Sequence, residues 1–172
     1  MVILRARTLH WIQDQGDDPK DLCAHGAVEF SVYGHEIVRP EDGEWCVSAA
    51  AIYLLRTLSR SHTKTNPVGV HLFPHCGHTL YSIEGQDDVL IVGCALGIDC
   101  EVVHDGSDII VRANGHEERT PFSELKDAVF AFSDQVKALY ESGALKEPFD
   151  EDEVRGFAAF RREWSRRRGS AD

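Results

Sequence analysis

Chemistry-bearing residues gather in one short stretch, "GVHLFPHCGHTLY", residues 69–81. His71, His75, His78 and Cys76 fall there within eight positions, in a chain with nine histidines and five cysteines. Neutral imidazole and thiolate are the donors that zinc collects into a tetrahedron. A second piece, "LCAHG", adds Cys23 and His25, so two ligands from each piece would complete a shell. The candidate metal set is therefore Cys23, His25, His75, Cys76 and His78, although neither CxxC nor HExxH spacing accompanies it. The same residues allow a different chemistry, with Cys76 as a nucleophile and His75 or His78 as its base. They also allow none. Pro74 and Gly77 mark a turn, where imidazole, which both donates and accepts, can satisfy backbone groups as scaffolding. The expectation is this last reading, with no cofactor, and zinc as the alternative.

The other cysteines read as small buried hydrophobes: Cys94 and Cys100 in strand-like runs, Cys46 opening a helix. An odd count, no CxxC and no signal-peptide pattern in "MVILRARTLHW" imply reduced thiols and a cytoplasmic location. No run of 18 apolar residues suggests a membrane span. Ser48 lies in "CVSAA" rather than a G-x-S-x-G elbow, and no glycine-rich loop follows a strand as in a nucleotide site.

Charge points elsewhere. The net charge is −11, and residues from Arg155 onward hold six basic and two acidic residues, leaving 12 basic against 27 acidic before them. A body of charge −15 repels nucleic acid and anionic membranes and attracts a basic protein. Asp17, Asp18 and Asp21, with Glu41, Asp42 and Glu44, are the candidate partner-binding residues; stretches 36–44 and 84–88 extend the same acidic exterior. Their spacing is not that of a Ca²⁺ loop.

The elements that must position these residues follow from periodicity. "VILRARTL" and "AVEFSVYGHEIV" alternate as strands, the second turning near Gly34. "WIQDQGDDPKDLCAHG" reads as a polar connection. A helix runs through "SAAAIYLLRTLSR", with Ser48 as N-cap. A strand meander from "GVHLFPH" to "HEERT" follows, with hairpin turns at Asp105-Gly106 and Asn114-Gly115. A second helix starts with Thr120 as cap and Pro121 in its first turn; Phe122, Leu125, Val129, Phe132, Val136 and Leu139 make its stripe, and Gly143 ends it. A third starts at Asp150 with Glu153 in a capping-box-like pair. The fold class is α+β: a mostly antiparallel twisted sheet, one central helix packed on it and two C-terminal helices. The chain reads as a single domain, 1–172, with a sheet-plus-helix core over 1–145 and a C-terminal helix over 150–168. Oligomeric state is left open.

The layout of "LCAHG", "EWCVSAAAIYLLRTL", "FPHCGH", "VGCALGIDCEVVHDGSDIIV" and "FSELKDAVFAFSDQVKALYE" resembles small bacterial domains of unknown function, among them immunity proteins of contact-dependent and polymorphic toxin systems. The likeness spans roughly residues 10–165. It implies a sheet paired with helices, no enzymatic residues and a binding function, and it transfers no individual site residue. The expected function is thus a non-enzymatic, immunity-type protein-binding domain with an acidic interaction surface. The alternative is a zinc-dependent or Cys/His-dependent enzyme built on the histidine and cysteine cluster.

Overall fold

Alternating apolar residues build the first sheet. In this computed structural model, which describes residues 1–12, 16–77 and 79–169, strand Val28–Val32 lies between Val2–Ala6 and His35–Val38, antiparallel to both. Val28, Phe30 and Val32 point into the core. The tight turn falls on Tyr33 and Gly34, both at positive φ, which matches strand twist in a two-residue hairpin.

The α+β class holds, but among the described residues the strands divide into five small antiparallel sheets of two or three strands each, rather than one. The C-terminal sheet joins Glu101–Asp105, Asp108–Ala113 and His116–Pro121. Its two turns are those marked by Asp105-Gly106 and Asn114-Gly115; Gly106, Asn114 and Gly115 all have positive φ. Another sheet lies where the sequence reads as a polar connection. There Ala24–Gly26 pairs with both His10–Trp11 and Trp45–Cys46. All three residues of Ala24–Gly26 are buried. Its short length and its histidine hide it from any alternation test.

Helix α1 (Val47–Thr57) is buried along all eleven residues. Cys46, not Ser48, is its N-cap, and no side chain caps it. Helix α2 (Phe122–Ser142) buries Leu125, Val129, Phe132 and Val136 along the expected stripe. Its start differs from expectation. Thr120 is drawn into the sheet opposite Ile109, so Pro121 becomes the N-cap, and the Phe122 N–H donates to the Ser107 carbonyl at 3.1 Å. Strand pairing outcompetes the cap. Helix α3 (Glu151–Arg168) begins as the sequence suggests, with the Asp150 carboxylate accepting from the Glu153 N–H at 2.9 Å. Among the described residues, no helix is long and apolar enough to cross a membrane.

One ion pair ties α1 to α3 inside the core. Arg56, 6% exposed, meets Glu163, 0% exposed, through two bonds of 2.8 Å. Arg56 also donates to the Val68 and Val89 carbonyls, and Glu163 accepts from the Val89 N–H at 2.8 Å. Buried charges are tolerated when every donor and acceptor is filled in this way. The basic end of α3 is spent the same way: Arg166 and Arg167 reach Asp88, and Arg168 reaches Asp134.

Candidate metal centre

The site stands on an interrupted hairpin. Phe73–Pro74 pairs with Gly97–Ile98, and Thr79–Tyr81 pairs with Leu90–Val92. Both ladders keep one register, so they are two ends of a single long antiparallel hairpin that opens between them. Into that gap come His75, Cys76 and Cys94. Their ligand atoms all lie within 4.8 Å of one another, and the group could hold a metal ion.

Close backbone packing fixes the gap. The His75 N–H donates to the Leu96 carbonyl at 2.9 Å, holding the strands together at one end. Gly93 passes against Cys76 so closely that a Cβ there would collide with the Cys76 carbonyl. A Cβ on Gly77 would meet Ala49 of α1 at 2.8 Å. Only glycine allows such approach. Below the gap, Asp99 accepts from the Leu72 N–H at 2.9 Å and from buried His62 at 3.0 Å, bracing the base of the hairpin. His62 accepts the Val68 N–H at Nδ1, so Nε2 carries the proton given to Asp99.

The donor geometry suits zinc. Tetrahedral Zn–S and Zn–N bonds put a sulfur and a nitrogen about 3.6 Å apart, and Cys94 Sγ lies 3.8 Å from His75 Nδ1. The Cys94 N–H donates to Cys76 Sγ at 2.7 Å, which steadies that sulfur as a ligand. The two thiols are electrostatically unequal. Hydrogen bonding from Cys76, a backbone hydrogen bond at Leu96 and the nearby His75 lower the Cys94 thiol to about 7. Burial and the bond to Cys94 push Cys76 up. Cys94 therefore has thiolate character near neutrality, and it, rather than Cys76, is the stronger nucleophile of the pair.

A second group with the same donors lies nearby. Cys23, His25 and Cys46 converge within 4.8 Å and are all buried. Strand pairing sets His25 opposite Cys46. The sulfurs of Cys23 and Cys46 are joined as a disulfide, with Cα atoms 6.4 Å apart. Ser48 Oγ lies 3.4 Å from Cys46 Sγ and 3.6 Å from Cys23 Sγ, which is what occupies the hydroxyl expected to cap the helix. His25 Nδ1 sits 3.1 Å from the Cys23 carbonyl, and burial lowers its pKa, keeping the ring neutral. Reduced, this trio could hold a metal ion; as a disulfide its sulfurs have no thiolate to offer.

The five-residue metal set thus divides. Cys23 and His25 join Cys46, while His75 and Cys76 join Cys94; His78 lies outside the described residues. The groups stay distinct but adjacent, for a Cβ on Gly77 would lie 3.5 Å from Cys46 Sγ. Cys46 and Cys100 are buried as expected, whereas Cys94 is only partly buried; Cys46 and Cys94 each converge with a second cysteine and a histidine in a group that could hold a metal ion. The expectation of reduced thiols holds for Cys76, Cys94 and Cys100 and fails for the joined pair.

The acidic candidates are mostly engaged within the molecule. Asp17 accepts from Lys146 at 2.6 Å and from the Ala144 N–H, and the Lys146 hydrogen bond holds its carboxyl below the ordinary range. Asp18 accepts the Lys20 N–H, and Asp21 accepts the Ile12 and Cys23 N–H groups. Asp42 holds Arg39, and Glu44 meets His10 at 2.9 Å. Glu41 is exposed on the short helix Pro40–Asp42. Asp21 and Glu44 both act on the charge of His25, so part of the acidic set surrounds the buried group.

No family model matches the chain, nor does any curated protein or solved structure.

Proposed function

We propose that this protein binds zinc at His75, Cys76 and Cys94, with the fourth coordination position left to water or a substrate. The observation that carries this is the opened hairpin, where two strands in continuous register part and three soft donors meet in the gap. Thiolate and imidazole select zinc over calcium or magnesium, which take oxygen. Among the described residues three protein ligands stand at the surface, the number that zinc sites doing chemistry use, whereas structural sites close all four positions. Zinc there would lower the pKa of a bound water to near neutrality and supply a nucleophile or a Lewis acid. The reading carries a cytoplasmic setting with it, since Cys76 and Cys94 must stay reduced while burial keeps reductant from the Cys23–Cys46 disulfide. Zinc-edge X-ray absorption of the reduced, zinc-loaded protein tests it. The expected shell is two sulfurs, one imidazole and one further light atom; four sulfurs, oxygen alone, or no stoichiometric uptake would overturn it.

A second reading, a bacterial protein-binding domain of the immunity type, draws its support from the net charge of −11 and from exposed Glu41 and Glu44. Its partner would be a basic protein. Charge reversal at those two positions, assayed by co-purification with a basic nuclease domain, is the corresponding test; unchanged recovery would contradict it.

A further inference from the structure

A cavity of about 420 Å³ lies between α2, α3 and the segment joining them. That size lies within the range of small-molecule sites. Its apolar wall is a run of aromatic rings: Tyr140, Phe157, Phe160 and Trp164. Phe157 and Phe160 stack with centroids 6.1 Å apart, and Trp164 meets Phe160 edge-on at 5.4 Å. The Tyr140 hydroxyl donates to the Leu22 carbonyl at 2.8 Å, which anchors the ring without using any polar group of the cavity.

The rim is cationic in a chain of charge −11. Lys137, Lys146 and Arg161 line it against one carboxylate, Glu141. Two of the cations are committed. Lys137 pairs with Glu141 at 2.9 Å, and Lys146 is held by Asp17. Arg161 is exposed and makes no ion pair or hydrogen bond among the described residues, while Arg166, Arg167 and Arg168 on the same helix are all paired. The wall has an unmet donor as well: Trp164 is 6% exposed, and its indole N–H has no acceptor among the described residues.

We propose that this cavity binds an amphipathic carboxylate, with its hydrocarbon body against the aromatic wall and its carboxylate on Arg161. The guanidinium fork matches a carboxylate through two parallel bonds, and the aromatic wall rewards an apolar body that a simple anion lacks. Nothing here depends on zinc, so the two proposals fail separately.

Decanoate is the probe, titrated calorimetrically into the full chain, with decanol as its uncharged counterpart. Expected is one saturable decanoate site, weakened roughly tenfold or more in Arg161→Ala, as loss of a charge-assisted bond implies. Arg162→Ala, an exposed neighbour outside the cavity, should leave affinity unchanged, and decanol should bind more weakly than decanoate. Phe157→Trp, which fills the cavity from its own wall, should abolish binding while the protein stays folded. Absence of saturable decanoate binding would overturn the proposal. So would equal affinity in wild type and Arg161→Ala, or decanol binding as tightly as decanoate.

Discussion

Two groups of two cysteines and one histidine sit on either side of Gly77, and the fold treats them in opposite ways. Cys23, His25 and Cys46 are buried, with their sulfurs joined and Ser48 against both. His75, Cys76 and Cys94 lie in a parted hairpin, partly or fully exposed, with both thiols free. Identical donors thus acquire different chemistry from their surroundings. A closed, dry pair of sulfurs is a staple, because nothing can reach it. An open pair beside an imidazole, with one thiol near neutrality in pKa, is equipped to take a metal or an electrophile.

The sharpest way to break this contrast is thiol reactivity. In metal-free protein without added reductant, Cys94 should be alkylated with a rate that reaches half its maximum near pH 7, following its lowered pKa of about 7. Cys100, whose burial pushes its thiol far up, should react more slowly on the order of a thousandfold. Cys23 and Cys46 should stay unlabelled until the protein is reduced and unfolded. Peptide mass spectrometry resolves each site. Equal labelling of Cys94 and Cys100 would erase the distinction.

A smaller effect concerns what holds the hairpin. Glu163 fixes the Val89 N–H at the root of strand Leu90–Val92 and neutralises Arg56. Glu163→Gln leaves that guanidinium without its buried partner, which should cost about 3 kcal/mol of unfolding free energy in urea titrations. Hydrogen exchange should then rise first at Leu90–Val92, while Ala24–Gly26 stays protected. A uniform rise would mean that the two regions share one unit of stability.

The smallest effect is a pH dependence. Burial lowers His25 from its ordinary value of 6.5, so below that value the unfolded chain binds a proton that the folded protein refuses. The His25 contribution is complete above pH 6.5 and is lost as pH falls through the lowered value. Thermal melts of wild type and His25→Asn should therefore converge between pH 7.5 and pH 5. A constant gap would show that His25 takes up its proton in the fold as readily as in the unfolded chain.

Part of this was legible in the sequence. His75 and Cys76 stand out by their bunching, and the turns at Gly106 and Asn114-Gly115 follow from residue type alone. Cys94 does not, because it reaches Cys76 across a hairpin, 18 residues away in the chain. Only the register between "HLFPHCGH" and "VGCALG" brings the two together, and no local pattern encodes register. Cys46 was hidden for a similar reason. It meets Cys23 through pairing with a three-residue strand too short for alternation to reveal. Arg56 and Glu163 lie 107 positions apart and look like ordinary helix-surface charges until α1 and α3 are packed together.

The contrast between the two groups reduces to a zinc count. Wild type, Cys46→Ser and Cys94→Ser, kept folded in mild reductant that leaves the buried Cys23–Cys46 disulfide of wild type intact, then loaded with zinc and desalted, are compared by elemental analysis. One zinc per chain in wild type and in Cys46→Ser, with none in Cys94→Ser, is the predicted result. Zinc retained by Cys94→Ser and lost from Cys46→Ser would contradict it, placing the metal in the buried group and leaving the open hairpin without the role assigned to it.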